Sequence, residues 1–289
     1  MKRILFFAVF IAMMPFLWAG EAGESKGVYA KAEAEMETEG LNPRMNLFLN
    51  FANAGFNNWA AGGESSYSWQ VNFDGSIDYS DNDILWINEF VLKYGRSEMQ
   101  EAGSRKTADE VSFKSRYNRK VWEAIHPYAE ISFETQLDSG FDYSGEEPVE
   151  ISKIMDPAYM RQTAGIAFKP SQVFEVRAGL GFKQTVAGDF ADRYIGPDGD
   201  FIENKAGASF SFHLNVSLMK NITLKSDLGF FSDFYSADTI DVKWESVITA
   251  RVNEYINVRF DYVVLYDKNA VYAAQIKDIL SVGVVYGFL

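Results

Sequence analysis

The chain contains no cysteine, which excludes a lipid-anchored amino terminus, a disulfide framework and a thiolate metal site. Its only two histidines, His126 and His213, lie far apart in the sequence and offer no metal-ligand spacing. No nucleotide or cofactor motif is present, so no cofactor is expected. Basic residues are scarce: 27 Lys and Arg stand against 40 Asp and Glu, a formal net charge of −13. That balance argues against a nucleic-acid partner and against a basic membrane-surface role. After the first twenty residues no stretch approaches the ~18 uninterrupted apolar residues of a membrane-spanning helix, and mean hydropathy is −0.15. Aromatic residues, by contrast, are abundant, at 16% with 24 Phe and 15 Tyr.

At the amino end, Lys2 and Arg3 precede an apolar run from Ile4 to Trp18 and the small residues Ala19, Gly20 and Ala22. This is the pattern of an export signal over residues 1–20, and the run is short for a spanning helix. Residues 21–43 are rich in Ala, Glu and Lys with almost no apolar face, so they are expected to be a flexible acidic periplasmic segment.

From residue 44 to residue 289 the sequence alternates. In 206–218, Ala208, Phe210, Phe212, Leu214, Val216 and Leu218 point one way, and Ser209, Ser211, His213, Asn215 and Ser217 the other. Successive strand residues face opposite sides, so this describes a sheet with one apolar and one polar face. Twelve such strands are predicted, at 44–52, 65–79, 84–97, 109–121, 127–138, 158–168, 173–187, 205–218, 222–235, 240–252, 256–267 and 275–288. The even-numbered connections are short and several odd ones are long, including 98–108, 139–157 and 188–204. Outer-membrane barrels sort their loops this way, with short periplasmic turns and longer outer loops. The expected fold is therefore all-β: a closed up-and-down antiparallel transmembrane β-barrel of about 12 strands, with both termini in the periplasm. A soluble sandwich would alternate too, but its loops would be unsorted. Aromatics at predicted strand ends suggest two interfacial girdles: Trp69, Tyr94, Trp244 and Tyr266 at one end, and Tyr79, Trp86, Tyr128, Phe174 and Tyr286 at the other.

If the polar faces line a lumen, its charges include Lys114, Arg116, Arg177, Lys225 and Arg259 against Glu130, Glu134, Asp227 and Asp261, with His213 among them. Neighbouring opposite charges favour a constricted, weakly selective interior. Counting back from a turn at 219–221 puts Leu218 opposite Ile222, Asn215 opposite Lys225 and His213 opposite Asp227, and a turn centred near Ala124 puts Lys114 opposite Glu134. His213, Asp227 and Ser211 together invite a hydrolase reading, and twelve-stranded outer-membrane phospholipases exist. Those enzymes need chemistry reachable from lipid, whereas His213 falls on the lumen face; no catalytic residue is assigned and no enzyme activity is expected. Interior glycines such as Gly165, Gly179, Gly181, Gly207 and Gly283 indicate either wall curvature or room for something folded inward.

Between the first two strands stands Asn53-Ala-Gly-Phe-Asn-Asn-Trp59-Ala-Ala-Gly-Gly-Glu-Ser-Ser66. This stretch resembles the Trp-Ala-Ala-Gly-Gly-Glu signature of a domain-of-unknown-function family of outer-membrane β-barrels found in Bacteroidetes-type bacteria, with Ser65 where Asn is usual. The resemblance implies an exported barrel and carries no substrate or catalytic residue. Physically, Gly62 and Gly63 permit a sharp turn, and Trp59 and Glu64 could pack on the rim or form a constriction. The resulting expectation is a narrow passive channel or small-solute transporter in the outer membrane of a Gram-negative cell, with lipid, the barrel-assembly machinery and an unidentified small solute as partners. A sealed structural or surface-interaction barrel is the alternative, and an outer-membrane hydrolase a more distant one.

Overall fold

The computed structural model of the chain describes residues 39–55, 65–100, 102–196, 200–235, 240–267 and 273–287. The export signal expected over residues 1–20, and residues 21–38 of the segment expected to be flexible, lie outside the described residues.

Twelve strands close on themselves. They are β1 (Gly40–Ala54), β2 (Ser66–Ser80), β3 (Ile84–Met99), β4 (Gly103–Arg119), β5 (Ile125–Thr135), β8 (Ala158–Phe168), β9 (Phe174–Val186), β10 (Ile202–Met219), β11 (Ile222–Asp233), β12 (Ile240–Arg251), β13 (Ile256–Tyr266) and β14 (Gln275–Gly287). Each pairs antiparallel with its neighbours, and β1 meets β14 to complete the ring. Two strands, β6 (Gly140–Asp142) and β7 (Val149–Ser152), form a separate hairpin in the connection after β5. One helical turn, α1 (Ala191–Tyr194), sits in the connection after β9. A lone sheet edge is costly, and closure gives every strand a neighbour on each side, β1 and β14 over five residue pairs.

The expected parity of connections is present. The 81–83, 120–124, 169–173, 220–221 and 252–255 turns share one end with both described chain ends, while the longer loops share the other. The short turns carry their own chemistry. The Asp81 carboxylate accepts the backbone N–H groups of Asp83 and Ile84, both at 2.9 Å. Those bonds hold its pKa below the ordinary carboxylate value. Asn253 does the same with its side-chain oxygen for Tyr255 and Ile256.

Three expectations are corrected. β1 begins at Gly40 rather than 44, because Gly40 to Pro43 pair with Ser80 to Ile77 of β2. The long loop expected over 98–108 is instead a tight hairpin, since β3 and β4 run on to Met99 and Gly103, with Gly103 at φ +67. Tyr128 does not belong to a girdle. It points inward, buried, and its hydroxyl lies 2.9 Å from where a Cβ on Gly179 would stand. Gly207 likewise faces the ring of Phe231, 2.7 Å from its missing Cβ. At these two positions glycine makes room for a large inward side chain.

The outer surface is apolar. Leu180, Phe182, Ile166, Phe168 and Trp86 are all exposed there. One group of outward polar side chains is paired within itself: Trp86 Nε1 donates to Ser115 Oγ at 2.9 Å, Ser115 donates to Asn88 Oδ1 at 2.8 Å, and Asn88 Nδ2 donates to the Ile77 carbonyl at 3.0 Å. That internal satisfaction is what an apolar solvent demands of a polar side chain.

Candidate functional site

The interior encloses a cavity of about 1040 Å³. Lys114, Arg116, Glu130, Glu134, Lys225, Asp227, Arg259, Asp261 and His213 line it. Arg177, beside it, is buried and reaches the same groups through ion pairs. Strand alternation places all of these on the inner face, and the hairpin registers decide which meet.

The β10–β11 register places Asn215 opposite Lys225 and His213 opposite Asp227, and the His213 ring touches the Asp227 carboxylate. A bulge between Ser217 and Met219 absorbs one residue, so Met219 rather than Leu218 faces Ile222. The β4–β5 register differs from expectation. Lys114 stands opposite Ser132, and Glu134 opposite Ser112, because the turn centres on Glu123, one residue earlier than assumed. Lys114 instead meets Glu89 of β3 at 2.5 Å.

Several ion pairs reach across the lumen between strands that are not neighbours. Lys243 on β12 donates to Glu134 on β5 at 2.8 Å, although four strands separate the two. Lys183 on β9 donates to Asp241 on β12 at 2.6 Å and to Asp267, just beyond β13, at 2.8 Å. Toward the short-turn end, Arg177 donates to Glu130 at 2.6 Å, and its Nε lies 3.3 Å from Glu175. Arg116 of β4 lies 3.3 Å from Glu175 of β9 and 3.9 Å from Glu130. Two guanidinium groups thus alternate with two carboxylates in a closed cluster, over which the Tyr128 ring faces Arg177 at 6.0 Å. Alternating signs let each buried charge see two opposite partners, which offsets desolvation better than an isolated pair would. Other pairs stay on the wall: Lys93–Glu110 at 2.9 Å and Arg259–Asp261 at 2.7 Å.

At the long-loop end, two connections dock on each other. Asp156, buried, accepts the backbone N–H groups of Gly188 at 2.9 Å and Asp189 at 2.8 Å, joining the 136–157 loop to the 187–201 loop. Lys153 pairs with Asp189, and Tyr194 Oη donates to the Ile151 carbonyl at 3.1 Å. Asp109 anchors the base by accepting the N–H groups of Leu137 and Asp138 at 2.8 and 2.9 Å. Asp138 is held in its charged form first by the Tyr94 hydroxyl, which lowers its pKa. This cap brings Ile151, Arg193 and Tyr194 to the wall of the central cavity.

Sequence reasoning missed the cap and every cross-lumen pair. The residues it singled out between the first two strands, Trp59, Gly62, Gly63 and Glu64, lie outside the described residues.

The cap makes a prediction. Asp156→Ala leaves two loop amides without their acceptor, a cost of roughly 1–3 kcal/mol if they stay buried. The loops should release, and amide exchange at Gly188 and Asp189 should become much faster. Unchanged exchange at both amides would mean that Asp156 does not hold the two loops together.

Residues 51–141 match a family described as Protein of unknown function (DUF3078), and residues 167–288 match a second, Protein of unknown function, DUF481. Neither match reaches half of the chain. No curated protein matches it. Among solved structures the chain is similar to the translocator domain of autotransporter NalP from Neisseria meningitidis, at 14% identity over 93% of this chain and 100% of that one, with a TM-score of 0.43. It is also similar to an outer membrane channel from Pseudomonas putida F1, at 10% identity over 93% and 98%, TM-score 0.41. The beta domain of the Bordetella autotransporter Brka is similar at 13% identity over 86% and 99%, TM-score 0.34.

Proposed function

We propose that the protein is an outer-membrane β-barrel of a Gram-negative bacterium that passes small solutes through a narrow, charge-balanced lumen. The observation that carries this reading is the combination of an apolar outer wall with a cavity of about 1040 Å³ lined by charges of both signs. A closed ring pairs its strands on both sides, over only five residue pairs between β1 and β14, and such pairing within the wall is what a bilayer requires of strands. Water and small polar solutes are the contents such a lining favours, and the paired charges argue for weak preference between cations and anions. Bilayer lipid and the barrel-assembly machinery are the partners this reading implies. No catalytic role is proposed for His213. It is engaged with Asp227, and Ser211 stands opposite Arg177 and Gly229 with no oxyanion site between them.

The orientation follows from the loops: short turns and both chain ends face the periplasm, and the cap faces outward. Epitope tags inserted within 143–147 should be reachable by antibody on intact cells, and tags within 169–172 should not. Surface labelling of the latter would invert the topology.

A second reading is favoured by one specific feature, the set of ion pairs that cross the lumen. If they never part, the barrel is sealed and serves as a structural or surface-interaction protein. Refolded protein in a planar bilayer separates the two. Discrete, small current steps support the channel; a silent membrane containing correctly folded barrel supports the sealed form and removes the channel.

A further inference from the structure

The ring is closed unevenly. β1 and β14 are joined only from Asn46↔Gly287 to Asn50↔Gly283, five residue pairs, whereas the other eleven seams run over eight to sixteen. Continuing the same register would place Phe51 opposite Val282, Ala52 opposite Ser281 and Asn53 opposite Leu280, but these are not paired. The Val285 N–H turns to β13, donating to Tyr255. Strand alternation therefore turns the backbone groups of Val282 and Leu280 toward β1, where no described residue meets them. Phe51 is 70% exposed and Leu280 72%. β4 also overhangs its neighbour β5, and there the Asp109 carboxylate catches the loop at Leu137 and Asp138. Nothing among the described residues does the same for β1 and β14.

The lumen beside this gap differs from the rest. The inward residues of β12, β13 and β14 at that height alternate apolar and charged groups: Val263 stands between Glu245 and Lys277, Leu265 between Lys243 and Gln275, and Ile279 opposite Asp261. Unpaired backbone at membrane depth is tolerated only where it lines a wet cavity, so the unpaired groups of this seam call for access to lumen water.

We infer that the long-loop half of the β1–β14 seam is a lateral opening through which a molecule with an alkyl or similarly apolar tail passes between lumen and lipid. The tail lies along Leu265, Val263 and Ile279, and a polar head meets Lys243, Glu245 and Lys277, which register sets beside them. This deepens the channel reading and rests on it, adding a solute class and a second exit.

Because the chain has no cysteine, the seam can be closed cleanly. Ala52→Cys with Ser281→Cys occupies the first unpaired inward-facing position, where oxidation would tie the strands. The probe is a fatty acid with a diazirine in its tail, added to proteoliposomes, photolysed and located by mass spectrometry. In the untied barrel the inward residues Val263, Leu265 and Ile279 should be labelled together with outward ones such as Val264. On oxidation the inward labels should be lost, the outward ones kept, and dithiothreitol should restore the former. Inward labelling that survives oxidation means entry through the mouth and overturns the inference, as does its absence from the untied barrel. Amide exchange tests the seam itself: Leu280 and Val282 should exchange far faster than Phe260 and Val258. Protection that grows with protein concentration would mean a second copy pairs with this edge, which also overturns it. Ionic current should persist in the oxidised form. A barrel that shows no current, yet is labelled inside through the seam, would sink the channel reading and leave the lateral opening standing.

Discussion

Phe212→Arg should leave the protein unable to insert stably into a bilayer, while Ser211→Arg, one residue earlier, should insert as well as the parent. Phe212 points out of β10, flanked by Val176 and Leu228 on the neighbouring strands, and its ring meets Phe210 edge-on at 4.8 Å. A guanidinium on the lipid side near mid-depth costs about 2–4 kcal/mol, and the lost aromatic pair adds about 0.5–1.5 kcal/mol. Against the ~5–15 kcal/mol of a typical fold this is enough to shift assembly toward degradation. Ser211 points into the cavity, between Arg177 on β9 and Gly229 on β11. Gly229 leaves space beside it, with nothing nearer than the Lys243 carbonyl at 3.8 Å. A new arginine there stays hydrated, adds one lumen charge and should reduce current without preventing assembly. Heat-modifiable gel mobility of membrane fractions reads both. Equal insertion of the two variants would mean that the faces of β10 are reversed.

The strands were legible because period-two alternation is a local signal that a closed barrel repeats in every hairpin. Eleven of the twelve seams join strands adjacent in the ring's sequence order, so counting from a turn predicts partners. It succeeds at Asn215↔Lys225 and His213↔Asp227, where the turn is two residues long. It fails at Lys114, where a five-residue turn leaves the centre ambiguous and an error of one residue moves the register by two. The β1 boundary was missed for a related reason. Gly40 and Pro43 are poor strand residues alone, and pairing with β2 overrides their preference.

The candidate site was legible in composition but not in arrangement. Alternation shows that Glu134 and Lys243 face inward, yet nothing local shows that they meet, because four strands of ring separate them. That contact depends on the width and shear of the closed barrel, which are global quantities. The Asp156 cap was hidden for the same reason. Its partners, Gly188 and Asp189, come from a different long loop, and an aspartate beside a proline reads locally as an ordinary turn.

Removing the acids that brace the lumen should both widen it and change its sign. In Glu130→Gln with Glu134→Gln, Arg177 loses its 2.6 Å partner and Lys243 its 2.8 Å partner. Arg116 and Arg177 then share Glu175 alone, and Lys243 keeps only Glu245, at 3.5 Å. Two negative charges vanish from a lumen whose signs were matched, leaving an excess of two positive charges beside Arg177 and Lys243. In a confined space of low effective dielectric such an excess is felt over several ångströms, and salt screens it largely beyond a Debye length of about 8 Å at physiological strength. The amides can still accept one hydrogen bond each, so the walls should hold, but the brace from β5 to β12 becomes an ordinary hydrogen bond that parts more easily. Two readings follow in a planar bilayer under a salt gradient. The parent should show small currents and a reversal potential near zero. The double variant should show larger currents and a reversal potential displaced toward the anion equilibrium value, with the displacement shrinking as salt is raised. A parent that is already strongly cation-selective would refute the balanced lumen. A variant with a larger current and an unshifted reversal potential would show that Glu130 and Glu134 brace the lumen mechanically while the permeant ions follow a path that does not pass them.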